Sequence, residues 1–156
     1  MKVEMEMPDE RIQDLLCNAL EGGSNYWYWI EKLHYPNKCP KCGRILISPI
    51  CYGRDNIGAD NPSHDGVKAI PQTKEDLGIE FAHLELPFKG GYIEFSDLED
   101  EEAEHKNLTI EAIQRGVKIM AEKYPRHFGD WIAENDDATT GDVFLQCCLF
   151  GEVVYG

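Results

Sequence analysis

Apolar residues recur at helical spacing over several stretches of this chain and alternate over shorter ones between them. From Met7 to Leu20, Ile12, Leu15, Leu16, Ala19 and Leu20 form one stripe, which predicts an amphipathic helix. Pro8 fits its first turn, Asp9 and Glu10 suit its positive end, and Gly22-Gly23 supplies the stop. Ser24 then stands as a cap for Asn25–Leu33, where Tyr26, Trp27, Ile30 and Leu33 also recur at helical spacing. A short aromatic run suits a strand too; helix is the expectation.

Between Tyr35 and Pro71 the periodicity disappears and Pro, Gly, Asn and Asp become frequent. Only Arg44–Ile50 reads as extended there, so residues 35–71 are expected to form an insert held by something other than a large core. Beyond it, Ile79–Leu86 alternates loosely and predicts a strand, and Gly91–Phe95 predicts another after the Lys89-Gly90 turn. The acidic run Asp97–Glu104 reads as a solvated hairpin tip leading to a return strand near Leu108. Thr109 caps a helix running to Tyr124, with Ile110, Ile113, Val117, Met120 and Ala121 inward and Pro125 as terminator. A last helix starts near Thr140, buries Val143, Phe144, Cys147 and Phe150, and stops at Gly151; Val153–Tyr155 then closes the fold as a short strand. The sum is an α+β chain: one compact domain over residues 1–156, with three to four helices, a small antiparallel sheet and a zinc-knuckle-like insert.

The chain has 156 residues, enough for one domain with a proper core and too few for two ordinary ones. No apolar run is long enough for a bilayer span, and Met1–Glu10 is acidic, unlike a secretory signal. The expected location is therefore the cytoplasm of the cell that makes it, where thiols stay reduced or bind metal. Net charge is −14, from 29 acids against 15 bases. That argues against direct nucleic-acid binding, which needs clustered Lys and Arg, and favours a basic partner. The charge is also uneven. Residues 32–54 hold five bases and no acid, Asp97–Glu104 holds six acids in eight positions, and Asp130–Asp142 holds five acids and no base.

Cys39-Pro40-Lys41-Cys42-Gly43 carries the sharpest chemical signal. Two thiolates separated by two residues, with Gly after the second, converge on one ion as half of a zinc knuckle. A tetrahedral site needs two more ligands. Cys51 is the best third, and His64 the fourth, with His34 as rival. The zinc is expected to be structural, because hydrolase and deaminase zinc motifs are absent. Cys17, Cys147 and Cys148 lie in apolar helical patterns and read as small core residues.

Tyr26-Trp27-Tyr28-Trp29 is the second feature. Four consecutive aromatics cannot all face one core, so one or two are expected to be exposed or covered by the insert. Core plus insert packing is the first reading, and stacking on a nucleotide or anchoring a protein the functional one. No Ser/His/Asp or Cys/His arrangement and no phosphate-cradling glycine loop is legible, so no catalytic residue is assigned.

Ala19-Leu20-Glu21-Gly22-Gly23-Ser24-Asn25-Tyr26-Trp27 near the start, and Leu145-Gln146-Cys147-Cys148-Leu149-Phe150-Gly151-Glu152-Val153-Val154-Tyr155-Gly156 at the end, resemble a family of small phage and prophage proteins. The resemblance extends from the Gly90-Gly91 strand through the Thr109 helix and omits the cysteine-bearing insert. It implies a phage origin and brings no chemistry of its own. Small acidic phage proteins act by binding host factors, and carboxylates presented in place of phosphates can occupy a nucleic-acid channel. The expectation is a non-enzymatic binding protein that modulates a host factor, with a counter-defence inhibitor of restriction or CRISPR machinery as its specific form. Its partner would be a host protein that handles nucleic acid. The partner face is placed on Asp97, Glu99, Asp100, Glu101, Glu102 and Glu104, with Asp136 and Asp137. The alternative is a small-ligand or nucleotide sponge using Tyr26, Trp27, Tyr28 and Trp29, and after it a zinc-dependent enzyme.

Overall fold

Asp9–Glu21 forms the first helix, α1, with Ile12, Leu15, Leu16 and Ala19 on its buried face, so the stripe read from the sequence is the one the fold uses. The computed structural model describes residues 6–22, 25–36, 39, 50–58, 61–68 and 73–156, the segments 50–58 and 61–68 by their backbone. The chain divides into two compact units, Met1–Lys32 with Ile93–Gly156, and Leu33–Tyr92.

The segment expected as a second helix is instead a strand, β1, at Tyr28–His34. Tyr28 is buried, Trp29 exposed, Ile30 half-buried and Glu31 exposed, a period of two that helical spacing cannot provide. Aromatic and β-branched residues favour that pleated surface. Strand β4 covers Tyr92–Asp97 and β5 covers Lys106–Leu108. The sheet order is β1-β4-β5, with β4 and β5 antiparallel and Ile93 opposite Leu108. Tyr28, Ile93, Phe95 and Leu108 are buried, and Tyr28 meets Phe95 edge to face at 5.3 Å.

Thr109 caps α4, Ile110–Lys123, by accepting the Ala112 N–H at 3.1 Å. Pro125 ends that helix as expected, but it also opens another, α5, at Pro125–Ile132. Proline suits a first helical position because its missing N–H has no partner to lose there. The last helix, α6, runs Ala138–Phe150, starting before Thr140 because Asp137 is its cap. Residues Thr140, Gly141 and Val143–Cys148 of α6 are all buried, so it is enclosed rather than amphipathic. It packs on α1, α4, α5 and β5.

Two close approaches make that packing possible. A Cβ on Gly116 of α4 would lie 2.2 Å from Cys148 Sγ, and one on Gly141 of α6 would lie 2.5 Å from the Ala19 nitrogen of α1. Arg11 ties α1 to α5: its guanidinium bonds Glu134 Oε1 at 2.8 Å and the Trp131 carbonyl, while the buried Trp131 indole N–H donates to Arg11 O at 3.2 Å. Val153–Tyr155 is not the strand expected. Its N–H groups are taken by side chains, Val153 by Tyr124 Oη at 2.8 Å and Val154 and Tyr155 by Gln146 Oε1 at 2.7 and 2.8 Å. The Gln146 amide, fully buried, returns a bond to Tyr155 O at 2.8 Å.

In the second unit, β2 (Ile50–Gly58) and β3 (Asn61–Lys68) pair antiparallel with irregular register, so residues expected as loop form a hairpin. The strand expected at Arg44–Ile50 lies outside the described residues except for Ile50, where β2 begins. Two single-turn helices follow, α2 (Lys74–Leu77) and α3 (Ala82–Glu85), the latter running into a 3-10 turn at Leu86–Lys89. The strand expected at Ile79–Leu86 is therefore absent. Glu85 reaches back to accept the Glu80 and Phe81 N–H groups at 2.9 and 2.8 Å, and that local bonding winds the segment up. His34 and Tyr92 stack at 4.2 Å within this unit.

Candidate functional site

The acidic hairpin tip is held by its own aspartates. Asp97 Oδ1 accepts the Glu99 N–H at 2.8 Å, and Oδ2 accepts the Tyr155 hydroxyl at 2.6 Å. Asp100 accepts the Ala103 N–H on its carbonyl at 3.1 Å and the Glu102 N–H on Oδ1 at 3.2 Å. The Leu98 N–H donates to Trp27 O at 2.8 Å, which fastens the tip beside β1. With the aspartates committed to backbone, the glutamates Glu99, Glu101, Glu102 and Glu104 are left outward and exposed. No ion pair within the described residues neutralises those four. Two steps further round, His105 Nδ1 meets Glu94 Oε2 at 2.8 Å.

The aromatic quartet divides into two buried residues, Trp27 and Tyr28, flanked by two exposed ones, Tyr26 and Trp29. Trp27 is 1% exposed, and its indole N–H donates to Asp142 Oδ1 at 2.7 Å. It contacts Phe150 at 5.3 Å and stacks on Tyr155 at 5.8 Å. Tyr26 is partly exposed but its hydroxyl is bound to Asp142 Oδ2 at 2.8 Å. Trp29 is the most exposed of the four, at 62%, with Tyr26 at 48%, and Leu98 is 51% exposed. The four therefore do not form one stacking platform.

Trp29 and Leu98 separate two hollows. One, of about 410 Å³, has Glu31, Asp100, Glu101 and His105 in its wall; the other, of about 350 Å³, has Leu20, Tyr28 and Ile30. An exposed indole and an aliphatic side chain bordered by unneutralised carboxylates can bury a partner's apolar group and hold a cation at once.

The remaining residues singled out from the sequence go elsewhere. Asp136 accepts the Asn18 amide at 2.6 Å, and Asp137 caps α6 by accepting the Thr140 N–H at 3.0 Å. That backbone bond holds the Asp137 carboxyl below its ordinary range. Both carboxylates thus serve helix α6 and its contact with α1. Cys39 is buried. Cys42 and the side chains of Cys51 and His64 lie outside the described residues, and Cys51 is placed by its backbone in β2, opposite Val67. Among the described residues, no cluster of three or more His, Cys, Asp or Glu side chains could hold a metal.

Cys17, Cys147 and Cys148 are each harder to ionise than a free thiol. A hydrogen bond to Glu21 pushes Cys17 up to about 11, burial pushes Cys147 to about 11, and burial raises Cys148 well above the usual thiol value. A protonated thiol is neither nucleophile nor metal ligand.

Three features of the fold were not read from the sequence: the Leu98 ridge, the Asp142 hub, and the Gln146 clamp on the C-terminal segment. Leu98 is the single large apolar residue inside the acidic run, and Gln146 is the one amide in an apolar helix; both oddities were visible. Comparison with protein-family models, curated proteins and solved structures returns no match. Among the described residues, no helix is long and apolar enough to cross a membrane.

Proposed function

We propose that this chain is a phage-encoded, non-enzymatic binding protein that docks a basic host protein through the face formed by Trp29, Leu98 and the acidic tip. The observation that carries this reading is the exposed indole beside four carboxylates that are unneutralised within the described residues. Like charges held close repel, and exposing a large apolar ring is unfavourable; a cationic partner that covers the ring relieves both. A net charge of −14 extends the attraction beyond contact distance and speeds encounter. The specific form of the proposal is a counter-defence inhibitor of a restriction or CRISPR component, with carboxylates occupying positions that phosphates take in the unblocked factor. The small-ligand alternative draws less support from the aromatic cluster, because Trp27 and Tyr28 are core residues.

The test compares the native chain with Glu99→Gln/Glu101→Gln/Glu102→Gln/Glu104→Gln as bait in host lysate, with retained proteins identified by mass spectrometry. Basic, nucleic-acid-handling proteins are expected on the native bait and not on the variant. Retention should also collapse between about 50 mM and 500 mM salt, as screening shortens the reach of the charges. Equal capture by both baits, or capture indifferent to salt, overturns the reading.

A further inference from the structure

Trp29 and Leu98 form a ridge between two hollows, one with carboxylates in its wall and one with no charged side chain, and this pairing says more about a partner than net charge can. In the hollow containing Glu31 and Glu101, those two carboxylates are free of backbone duty, whereas Asp97 and Asp100 are occupied by Glu99, Tyr155 and Glu102. The indole of Trp29 borders the same hollow. On the other side, Leu20, Tyr28, Ile30 and Leu98 offer an apolar wall, with Asn25 as its polar member.

We infer that the ridge reads a short bipartite segment of the partner, one arginine in the Glu31/Glu101 hollow and one leucine-sized aliphatic side chain in the Leu20/Ile30 hollow. This rests on the docking function proposed above and specifies its contact. Arginine fits better than lysine for two reasons. A planar guanidinium stacks on an indole face while its N–H fork engages carboxylates, and it is the more weakly hydrated cation, so it loses less on leaving water. The aliphatic requirement follows from the second wall, where no charged side chain can pair with a partner charge and Leu20, Ile30 and Leu98 give an apolar group a place to be buried. Charge complementarity alone would accept any polycation; the ridge demands both groups on one segment.

The experiment uses the full chain and synthetic twelve-residue peptides on a Gly-Ser background, each holding one arginine and one leucine at a different separation. Binding is read by quenching of indole fluorescence. Trp27 and Trp131 are buried, so a contact at the ridge acts on Trp29, and Trp29→Phe removes the reporter as a control. At least one spacing should bind with a dissociation constant of about 1 mM or tighter. Replacing arginine by citrulline should weaken it about tenfold, by lysine about threefold, and leucine by alanine about fivefold. Leu98→Ser should erase the leucine preference and leave the arginine preference. Both Trp29 and Leu98 are exposed, so the variants keep their fold, which urea midpoints verify.

Equal binding of citrulline and arginine peptides, equal binding of leucine and alanine peptides, or no spacing reaching about 5 mM overturns this inference. In each of those cases salt-sensitive capture of basic host proteins still tests the broader reading. Binding of spermidine as tight as the best peptide likewise rejects the bipartite contact while leaving a general acidic face.

Discussion

Asp142 gathers three donors, two from the distant Tyr26-Trp27 pair (the hydroxyl and the indole N–H) and one from its own helix, the Gln146 amide at 3.2 Å. Asp142→Ala leaves the buried Trp27 N–H without an acceptor, which should cost about 2 to 3 kcal/mol of unfolding free energy in urea titrations. Asp142→Asn, retaining one acceptor oxygen, should cost less than half as much. Equal stability of Asp142→Ala and the native chain would sink this account. The tyrosines give a pH signature. A hydrogen bond to Asp97 pushes Tyr155 up to about 12, and burial pushes Tyr26 and Tyr28 to about 12. The folded state thus holds these phenolic protons more tightly than the unfolded chain, whose tyrosines titrate at about 10. Stability from this source is complete below about pH 10 and is lost as pH rises through about 12. Urea midpoints should fall across that window, with a shallower fall in Tyr155→Phe; midpoints level to pH 12 would contradict it.

At the scale of elements, packing and propensity disagree about two glycines. Helix propensity alone makes Gly116→Ala favourable by about 1 kcal/mol. The new Cβ, however, would fall 2.2 Å from Cys148 Sγ and 3.0 Å from the Cys148 backbone, and a backbone cannot rotate away. Overpacking of this kind costs about 1 to 3 kcal/mol, so a net loss is expected for Gly116→Ala and the same for Gly141→Ala. A raised melting temperature in either variant would show that the helices separate easily. Helices α1, α4 and α6 were legible because an apolar stripe plus a cap is a local signal. Strand β1 was not, because Tyr26, Trp27, Ile30 and Leu33 satisfy helical spacing while Tyr28 and Ile30 satisfy alternation. Only pairing with β4 decides between them. Helix α5 was hidden by its own first residue, since Pro125 ends one helix and begins the next.

For the molecule as a whole, the metal is the next quantity to measure. We propose one structural zinc held by Cys39 and Cys42, a site whose remaining ligands the sequence leaves between Cys51, His64 and His34. Elemental analysis of protein purified without chelator should give one zinc per chain, and Cys39→Ala/Cys42→Ala should lose it along with thermal stability. Zinc below about a tenth of an equivalent in protein refolded with added metal would remove the site. The proposed pair is a contiguous Cys-x-x-Cys motif in the sequence, whereas further ligands of such a site would come from residues that spacing alone does not single out.

The α+β character, the acidic tip, the Thr109 cap and the stop at Gly151 were set by sequence alone, since each depends on residues within a turn or two of one another. Which aromatic faces solvent, which aspartates hold backbone and which glutamates stay free were decided only when β1 joined β4 and the C-terminal segment folded back onto Gln146 and Asp97. Those outcomes depend on partners up to 116 positions apart, as with Tyr26 and Asp142. A side chain's exposure is a property of its neighbours in space, and the order of residues along a chain does not specify them one at a time.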